Sequence, residues 1–512
     1  MKIAIYDKWL SALGGGEKVA TVMAEVLSKK GHDVDLVSNF EVDKKEVQEK
    51  MGVDLSSVNM VAWYERSYAK LIPKTRKYDM FINVSFLDHL PSKAKRSIYY
   101  VHFPTPMKRT FLGFIKYEKI LPILRRFLII PEIKSGINPV DDVYTRGGRW
   151  LDKENTIVFS NTPKSFLLVL RIFVEQLTLR SLKSISFDSP NARISLEDRY
   201  LDYNFNVGVF KLRVNSANQN PVIKIIINED TKSNGFGLVS MGVRNFRFIL
   251  WNILKRYMPR YEMALYGSSS YKPGEGLDTY KLFLANSEFT KFWTKKYLDK
   301  DAEILYPPVD IDQFQPGRKK NIILNVGRFF MGGHSKKQDI LVSVFKKMVD
   351  EKMIDSSWEL HFVGGVAGGK EHTDYLNMIR NEAKGYKVYF HLFLSFEGLK
   401  KLYSQAKIYW HATGFGEDKA RDPITFEHFG ITVVEAMAAG VVPIVFNGGG
   451  LTETVSKESG MVWNSQRELI TMTKQLIENK TFMETLSEGA VKRSKYFSKD
   501  RFGKELLKYV EK

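Results

Sequence analysis

The stretch 426–440, FEHFGITVVEAMAAG, decides how this chain is read, because it sets two carboxylates around a helix entrance. The apolar spacing puts Phe429, Gly430 and Ile431 in the first turn of a helix. Glu427 then lies just ahead of that helix and outside the core, and Glu435 rides on it more than a turn later. Carboxylates placed in this way are too far apart to share a proton. They suit the role of hydrogen-bond acceptors for hydroxyls at the two ends of one extended ligand. Between them the amides of Phe429, Gly430 and Ile431 offer the positive end of a helix to an anion. Hydroxyls, diphosphate, hydroxyls: that is the outline of a nucleotide sugar.

The flanking sequence says what kind of scaffold carries this stretch. VVPIVFNGGG (441–450) reads as a buried strand running into a glycine turn, and NIILNVGRF, QDILVSVFKKMVDEKM and WELHFVGG upstream alternate strand and helix patterns. The same alternation opens the chain, with KIAIYD, then GGEKVATVMAEVLSKKG, then HDVDLVS. Such alternation predicts parallel sheets in two nucleotide-binding-type halves. From about residue 150 to 250 the helical period fades and short β-type runs dominate, which predicts an antiparallel, sandwich-like insert. The expected division is therefore 1–149 and 251–308 for the first Rossmann-like domain, 150–250 for the β-rich insert, and 309–490 for the second domain. Residues 491–512 are expected to form a helix that crosses back towards the first domain. The paired prolines of LYPPVD (305–310) mark a stiff connector between the halves.

Three further features bear on chemistry. Gly14, Gly15 and Gly16 follow the first strand and open a helix, where they either make a tight turn or let backbone approach an anion. The spacing satisfies neither a dinucleotide fingerprint nor a Walker motif. In VGRFFMGGHSKKQDILV (326–342), Arg328 stands just past a strand end and Lys336 just before the next helix. Taken singly each is an ordinary surface cation; taken together they are a natural clamp for a diphosphate. His102, in VHFP at another strand end, is either a structural hydrogen-bonder or a cleft residue. Two Asp-x-Asp pairs, Asp33–Asp35 in a strand and Asp310–Asp312 in the connector, do not have the setting of a metal site.

Composition bounds the rest. The chain of 512 residues has 44% hydrophobic and 26% charged residues, which is ordinary for a globular protein of two or three domains. It has no cysteine, so disulfides and thiolate chemistry are excluded. No leader peptide and no run of membrane-spanning length is visible, which leads us to expect a cytoplasmic protein. The formal charge of +19 is either a solvated basic surface or an adaptation to an anionic partner. Zinc-finger and RNA-binding signatures are lacking, so nucleic acid is not the expected partner. The basic, apolar segments 107–130 and 246–261 would suit an anionic membrane surface, and equally a half-buried helix.

EHFGITVVEAMAAG followed by VPIVFNGGGLTETV resembles the signature of the retaining glycosyltransferases of family 4, which have a GT-B fold. The likeness takes in Arg328, Lys336, the glycines 14–16, FLANSEFT and LYPPVD, and covers roughly 1–125 and 260–512. Within the family, YYVHFPTP and EHFGI are similar to mannosyltransferases that extend lipid-linked oligosaccharides. The resemblance implies two Rossmann-like domains facing a cleft, and transfer of a hexose, mannose by preference, from a nucleotide diphosphate sugar to a glycan. GDP-mannose is the favoured donor, a lipid-linked glycan the expected acceptor, and no metal or other cofactor is required. Carried onto these residues, Glu427 would hold the donor sugar and Glu435 the ribose. Arg328 and Lys336 would stabilise the leaving diphosphate, and His102 would bond a sugar hydroxyl. His411 and His428 would only shape the pocket. The likeness also implies peripheral attachment to the inner face of a membrane. A glycan-binding scaffold that has lost turnover, or a nucleotide-sugar epimerase, are the alternative functions. The insert lies outside the resemblance.

Overall fold

In the computed structural model the strand KIAIY (Lys2–Tyr6, β1) sits inside a seven-stranded sheet, flanked by Asp33–Ser38 (β2) and Met80–Asn83 (β4). Described are residues 1–63, 68–104, 120–137, 149–174, 179–202, 207–228, 236–256, 276–367 and 370–511. Val58–Ala62 (β3) pairs with β2, and Arg96–Val101 (β5), Leu282–Ala285 (β14) and Ala302–Ile304 (β15) complete the order β15-β14-β5-β4-β1-β2-β3. All these pairs are parallel. A parallel sheet covered on both faces needs strands that are apolar throughout, and Ile3, Ala4, Ile5 and Tyr6 are all fully buried.

The second half repeats the design. Ile322–Val326 (β16), Glu359–Val363 (β17), Val388–His391 (β18), Ile408–His411 (β19), Val442–Phe446 (β20) and Met461–Trp463 (β21) form a parallel sheet in the order β18-β17-β16-β19-β20-β21. The order reverses between β16 and β19, and a reversal of this kind opens a crevice at the carboxyl ends of the strands. Arg328 and His411 stand at those two ends.

Strands β5 and β14 are parallel neighbours, yet the whole insert lies between them in sequence. Among the described residues its eight strands run Ile130–Ile137 (β6), Arg149–Ser160 (β7), Ser165–Val174 (β8), Ile185–Asp188 (β9), Arg193–Asp202 (β10), Val207–Asn215 (β11), Val222–Ile227 (β12) and Phe236–Val243 (β13). Every pairing is antiparallel. The long β7 pairs with β13 at its start and with β12 further on, and one buried cluster from Leu128 to Trp251 draws on both halves of the sheet. The sheet begins at Ile130, ahead of the boundary expected at 150. The strand IPEIKSGI escaped notice because its proline, glycine and lysine break the apolar alternation, and its pairing with β7 supplies the order instead.

The two parallel halves are joined twice, side by side. Val309 donates its N–H to the Phe497 carbonyl at 3.0 Å, so the outgoing connector and the returning chain run together. Helix Lys499–Glu511 then buries Phe502, Leu506 and Val510 in the core of the first domain, and Arg96 caps its last carbonyls.

Candidate active site

The segment before the helix is held by the glycine turn that follows β20. Gly450 N–H donates to the Glu427 carbonyl at 2.8 Å, and a side chain on Gly449 would place its Cβ only 1.9 Å from that same oxygen. Thr454 Oγ1 bonds the Phe429 carbonyl at 2.9 Å. The helix itself spans Ile431–Ala438, so Phe429 and Gly430 precede its first turn rather than lie in it. The reason is conformational. Gly430 is the N-cap at φ 93°, in the left-handed region, and cannot be a helical residue. Phe429 is buried against Tyr306 and Phe497, so this segment anchors the helix start while the first amides of Ile431 and Thr432 open it.

Glu427 is less exposed than its position ahead of the helix suggests. Its side chain is 13% exposed, and Oε2 takes Lys336 Nζ at 2.6 Å and His411 Nε2 at 3.1 Å. Burial pushes its carboxyl up, but Lys336, His411 and His334 outweigh that and hold it well below the ordinary range. Glu427 is therefore an anion at neutral pH. Both of these bonds fall on Oε2, which leaves Oε1 for a hydroxyl. Two of the three Lys336 donors are engaged, by Glu427 and, at 3.5 Å, by His334 Nε2, which leaves one for an anion.

Three histidines surround this pair. Burial lowers His411, and lowers His334 to about 4 and His428 to about 3, so all three are neutral at pH 7. His411 Nε2–H thus donates to Glu427, and its Nδ1 is buried with no partner among the described residues. His334 Nδ1 and His428 Nε2 are in the same condition. Buried polar nitrogens without partners are rare, and three in one pocket need a ligand or ordered water.

Glu435 occupies a separate pocket, with Tyr403 OH at 2.9 Å on Oε2. Burial raises its carboxyl to about 7, with Asp310 adding to the rise and Lys18 opposing it. Arg328 does not touch Glu427 or Lys336. It is exposed, with its guanidinium 5.1 Å over the Phe330 ring, yet close enough to His334 to disfavour a proton there. The two clamp residues are brought to one loop without contact.

The first domain approaches from the other side. Helix Gly15–Lys29 has Gly14 as its N-cap, and the Glu17 carboxylate accepts from Gly14 N–H at 2.7 Å. A Cβ on Gly15 would lie 3.0 Å from Ile431 Cδ1, and one on Gly16 3.3 Å from His102 Cε1. The two glycine-opened helices therefore meet across the cleft, with His102 beside them. His102 Nε2 bonds the Val84 carbonyl at 2.7 Å, and burial lowers the ring to about 4, so Nδ1 is its acceptor. Phe103 stacks on His428 with ring centroids 4.1 Å apart.

Sequence reasoning missed several residues. His411 bonds Glu427 directly and does more than shape the pocket. His334, two places before Lys336 in the same loop, was not singled out. Glu453 accepts the backbone N–H groups of Glu288 and Phe289 at 2.8 and 3.2 Å and the Tyr306 hydroxyl at 3.0 Å, linking the second domain to a helix of the first. Its placement three residues past the glycine turn was the available signal. Lys18 pairs with Asp310, which also meets Lys499 at 3.2 Å. Asp35 accepts from Tyr78 and Asn59. One carboxylate of each Asp-x-Asp pair, Asp35 and Asp310, is thus engaged in holding the fold together.

The two parallel-sheet domains have the GT-B architecture, with the Lys336–Glu427–His411 cluster in the second domain and Gly15 of the first domain opposite Ile431. Residues 309–493 match the family described as glycosyl transferases group 1. The chain is similar to the GDP-Man:Man(3)GlcNAc(2)-PP-Dol alpha-1,2-mannosyltransferase of Dictyostelium discoideum, at 26% identity over 45% of this chain and 47% of that protein. It is 25% identical to the alpha-1,3/1,6-mannosyltransferase ALG2 of Saccharomyces cerevisiae, over 45% of this chain and 53% of that one. The chain thus spans about half the length of these relatives. A glycosyltransferase structure from Rickettsia africae aligns over 99% of this chain and 97% of that one, with a TM-score of 0.52 and 13% identity. That likeness shows the fold.

Proposed function

We propose that this protein transfers mannose from GDP-mannose to a lipid-linked glycan with retention of anomeric configuration. The observation that carries the reading is the Lys336–Glu427–His411 cluster, set in a group 1 domain opposite Gly15 and His102. Glu427 Oε1 accepts a hydroxyl of the donor sugar, and Glu435 accepts the ribose hydroxyls. Phe429, Gly430 and Ile431 bring the helix start to the diphosphate, with Gly14, Gly15 and Gly16 closing over it. Lys336 and Arg328 oppose the charge that grows on the departing diphosphate, which is where electrostatic stabilisation lowers the barrier most. The acceptor hydroxyl attacks the anomeric carbon on the face the diphosphate leaves. The bond from that carbon to phosphate oxygen breaks, the new glycosidic bond forms, and the hydroxyl proton passes to the departing phosphate oxygen. His102 Nδ1 accepts a sugar hydroxyl at the cleft wall. No step calls on a metal ion or any other cofactor.

The same reading seats the protein peripherally on the cytoplasmic face of a membrane. Among the described residues no helix is long and apolar enough to cross one. Its test is incubation with radiolabelled GDP-mannose and a lipid diphosphate oligosaccharide in EDTA, with the product's anomeric configuration read by NMR. An α-mannosyl product supports the reading. Isomerised or hydrolysed sugar without acceptor favours an epimerase, and donor binding without any product favours a glycan-binding scaffold.

A further inference from the structure

The insert carries two helices whose outward faces are apolar. Helix Leu121–Phe127 rests Leu124 on the insert core, while Ile120, Ile123 and Phe127 are 44%, 58% and 63% exposed. Helix Phe246–Arg256 buries Phe248 and Trp251, while Phe246, Ile249 and Ile253 are 73%, 53% and 50% exposed. In both, the exposed positions follow the spacing i, i+3, i+7, which aligns them in one stripe along the helix. A helix lying on a soluble core turns its polar face outward; these two are apolar on both sides. Their ends are tied together, because Asn161 donates its side-chain amide to the Leu128 carbonyl at 3.0 Å and accepts Arg247 on its own carbonyl at 2.5 Å.

The charges around the stripes have one sign. Neither 120–128 nor 244–256 contains Asp or Glu, and Arg126 and Arg244 are exposed. Exposed Phe and Ile side chains on segments that carry exposed Arg126 and Arg244 and no carboxylate match a lipid leaflet, whose acyl layer takes the apolar side chains and whose headgroups take the guanidinium groups. A two-fold contact between copies would set these arginines against their own like charges. We propose that the β-rich insert is the membrane seat of this protein, and that these two stripes enter an anionic leaflet. This rests on the proposed lipid-linked acceptor for its biological sense, while the contact with lipid stands on the two helices alone.

The test uses the full chain with vesicles of phosphatidylcholine, with and without phosphatidylglycerol. Wild-type protein should float with the anionic vesicles only, and Phe246→Ser/Ile249→Ser/Ile253→Ser should weaken that partitioning by about tenfold or more with an unchanged melting temperature. Because the chain has no cysteine, Ile249→Cys can carry a polarity-sensitive dye, whose emission should shift to the blue on anionic vesicles. Equal flotation of wild type and triple variant, or an unshifted dye, overturns the proposal. So does a wild-type dimer that becomes monomeric in the triple variant without binding vesicles. Transfer to a short-chain, water-soluble acceptor separates the two claims. Vesicle binding without any transfer removes the functional reading and leaves the seat standing; transfer with no vesicle binding does the reverse.

Discussion

Lys336 Nζ lies 2.6 Å from Glu427 Oε2, although the two residues are 91 positions apart, and both side chains are about seven-eighths enclosed. An ion pair so enclosed is worth little to stability unless it is complete, because either partner left alone is an uncompensated charge. Lys336→Ala should therefore cost about 3–5 kcal/mol in denaturant unfolding, and Glu427→Ala a similar amount. Glu427 stands ahead of the helix and outside the core, yet its pair with Lys336 ties it to the fold. Lys336→Met with Glu427→Gln should recover much of the stability and none of the turnover, which separates the pair's structural and chemical roles.

Arg328 is exposed and makes no ion pair among the described residues, so Arg328→Ala should leave stability within about 0.5 kcal/mol. Turnover should nonetheless fall by about 10²-fold, because the guanidinium acts as charge develops on the leaving group. Donor affinity should change far less. Equal losses in kcat and in donor binding would make Arg328 a binding residue.

Glu453 caps the start of helix Glu288–Leu298 from the opposite domain. Replacing it with alanine removes the acceptor for two helix-terminal amides, a loss of about 1–2 kcal/mol. Because the contact spans the cleft, the loss should appear as opening. Small-angle scattering should give a larger radius of gyration, and kcat should fall while nucleotide affinity is kept.

Acid should weaken the fold through its neutral histidines. His102 and His334 are held at about 4 and His428 at about 3, against about 6.5 in an unfolded chain. Below about 6.5 the unfolded chain binds more protons, so the stability these groups contribute is complete above that pH and drains away as pH falls towards 4. Each contributes a slope of about 1.4 kcal/mol per pH unit in that window. His428→Phe keeps a ring against Phe103, and should make the decline in melting temperature between pH 7 and pH 5 shallower.

Glu435 titrates near neutrality, at about 7, because it is buried with a single hydroxyl donor. Only its carboxylate accepts from two ribose hydroxyls at once. Nucleotide affinity should rise severalfold between pH 6 and pH 8, and Glu435→Gln should flatten that rise. A steep profile that survives the substitution would assign the titration to another group.

Much of this architecture was readable in the sequence because its signals are local. The alternation of apolar strands and amphipathic helices fixes both parallel sheets, and Gly430 and Gly449 announce turns that no other residue could make. Glu427, Lys336 and Arg328 stand out because they sit past strand ends or ahead of helices, and Glu435 because it rides on the helix that Glu427 precedes. What stayed hidden depends on contacts between distant segments. Lys18 meeting Asp310, Glu453 capping Glu288, and His411 bonding Glu427 leave no trace in spacing. Ile130–Ile137 is a strand only because β7 lies beside it. The segments 107–130 and 246–261 read equally as membrane-facing or half-buried in sequence, and only the structure shows which of their described apolar side chains are exposed.

The most direct test of the account is calorimetric titration with nucleoside diphosphates in EDTA, using wild type, Lys336→Met/Glu427→Gln and Glu435→Ala. The account predicts that GDP binds the wild type and that both sets of substitutions abolish or strongly weaken the binding. If no nucleoside diphosphate binds, or if GDP binds all three proteins equally, the carboxylates and cations at 328, 336, 427 and 435 do not form a donor site.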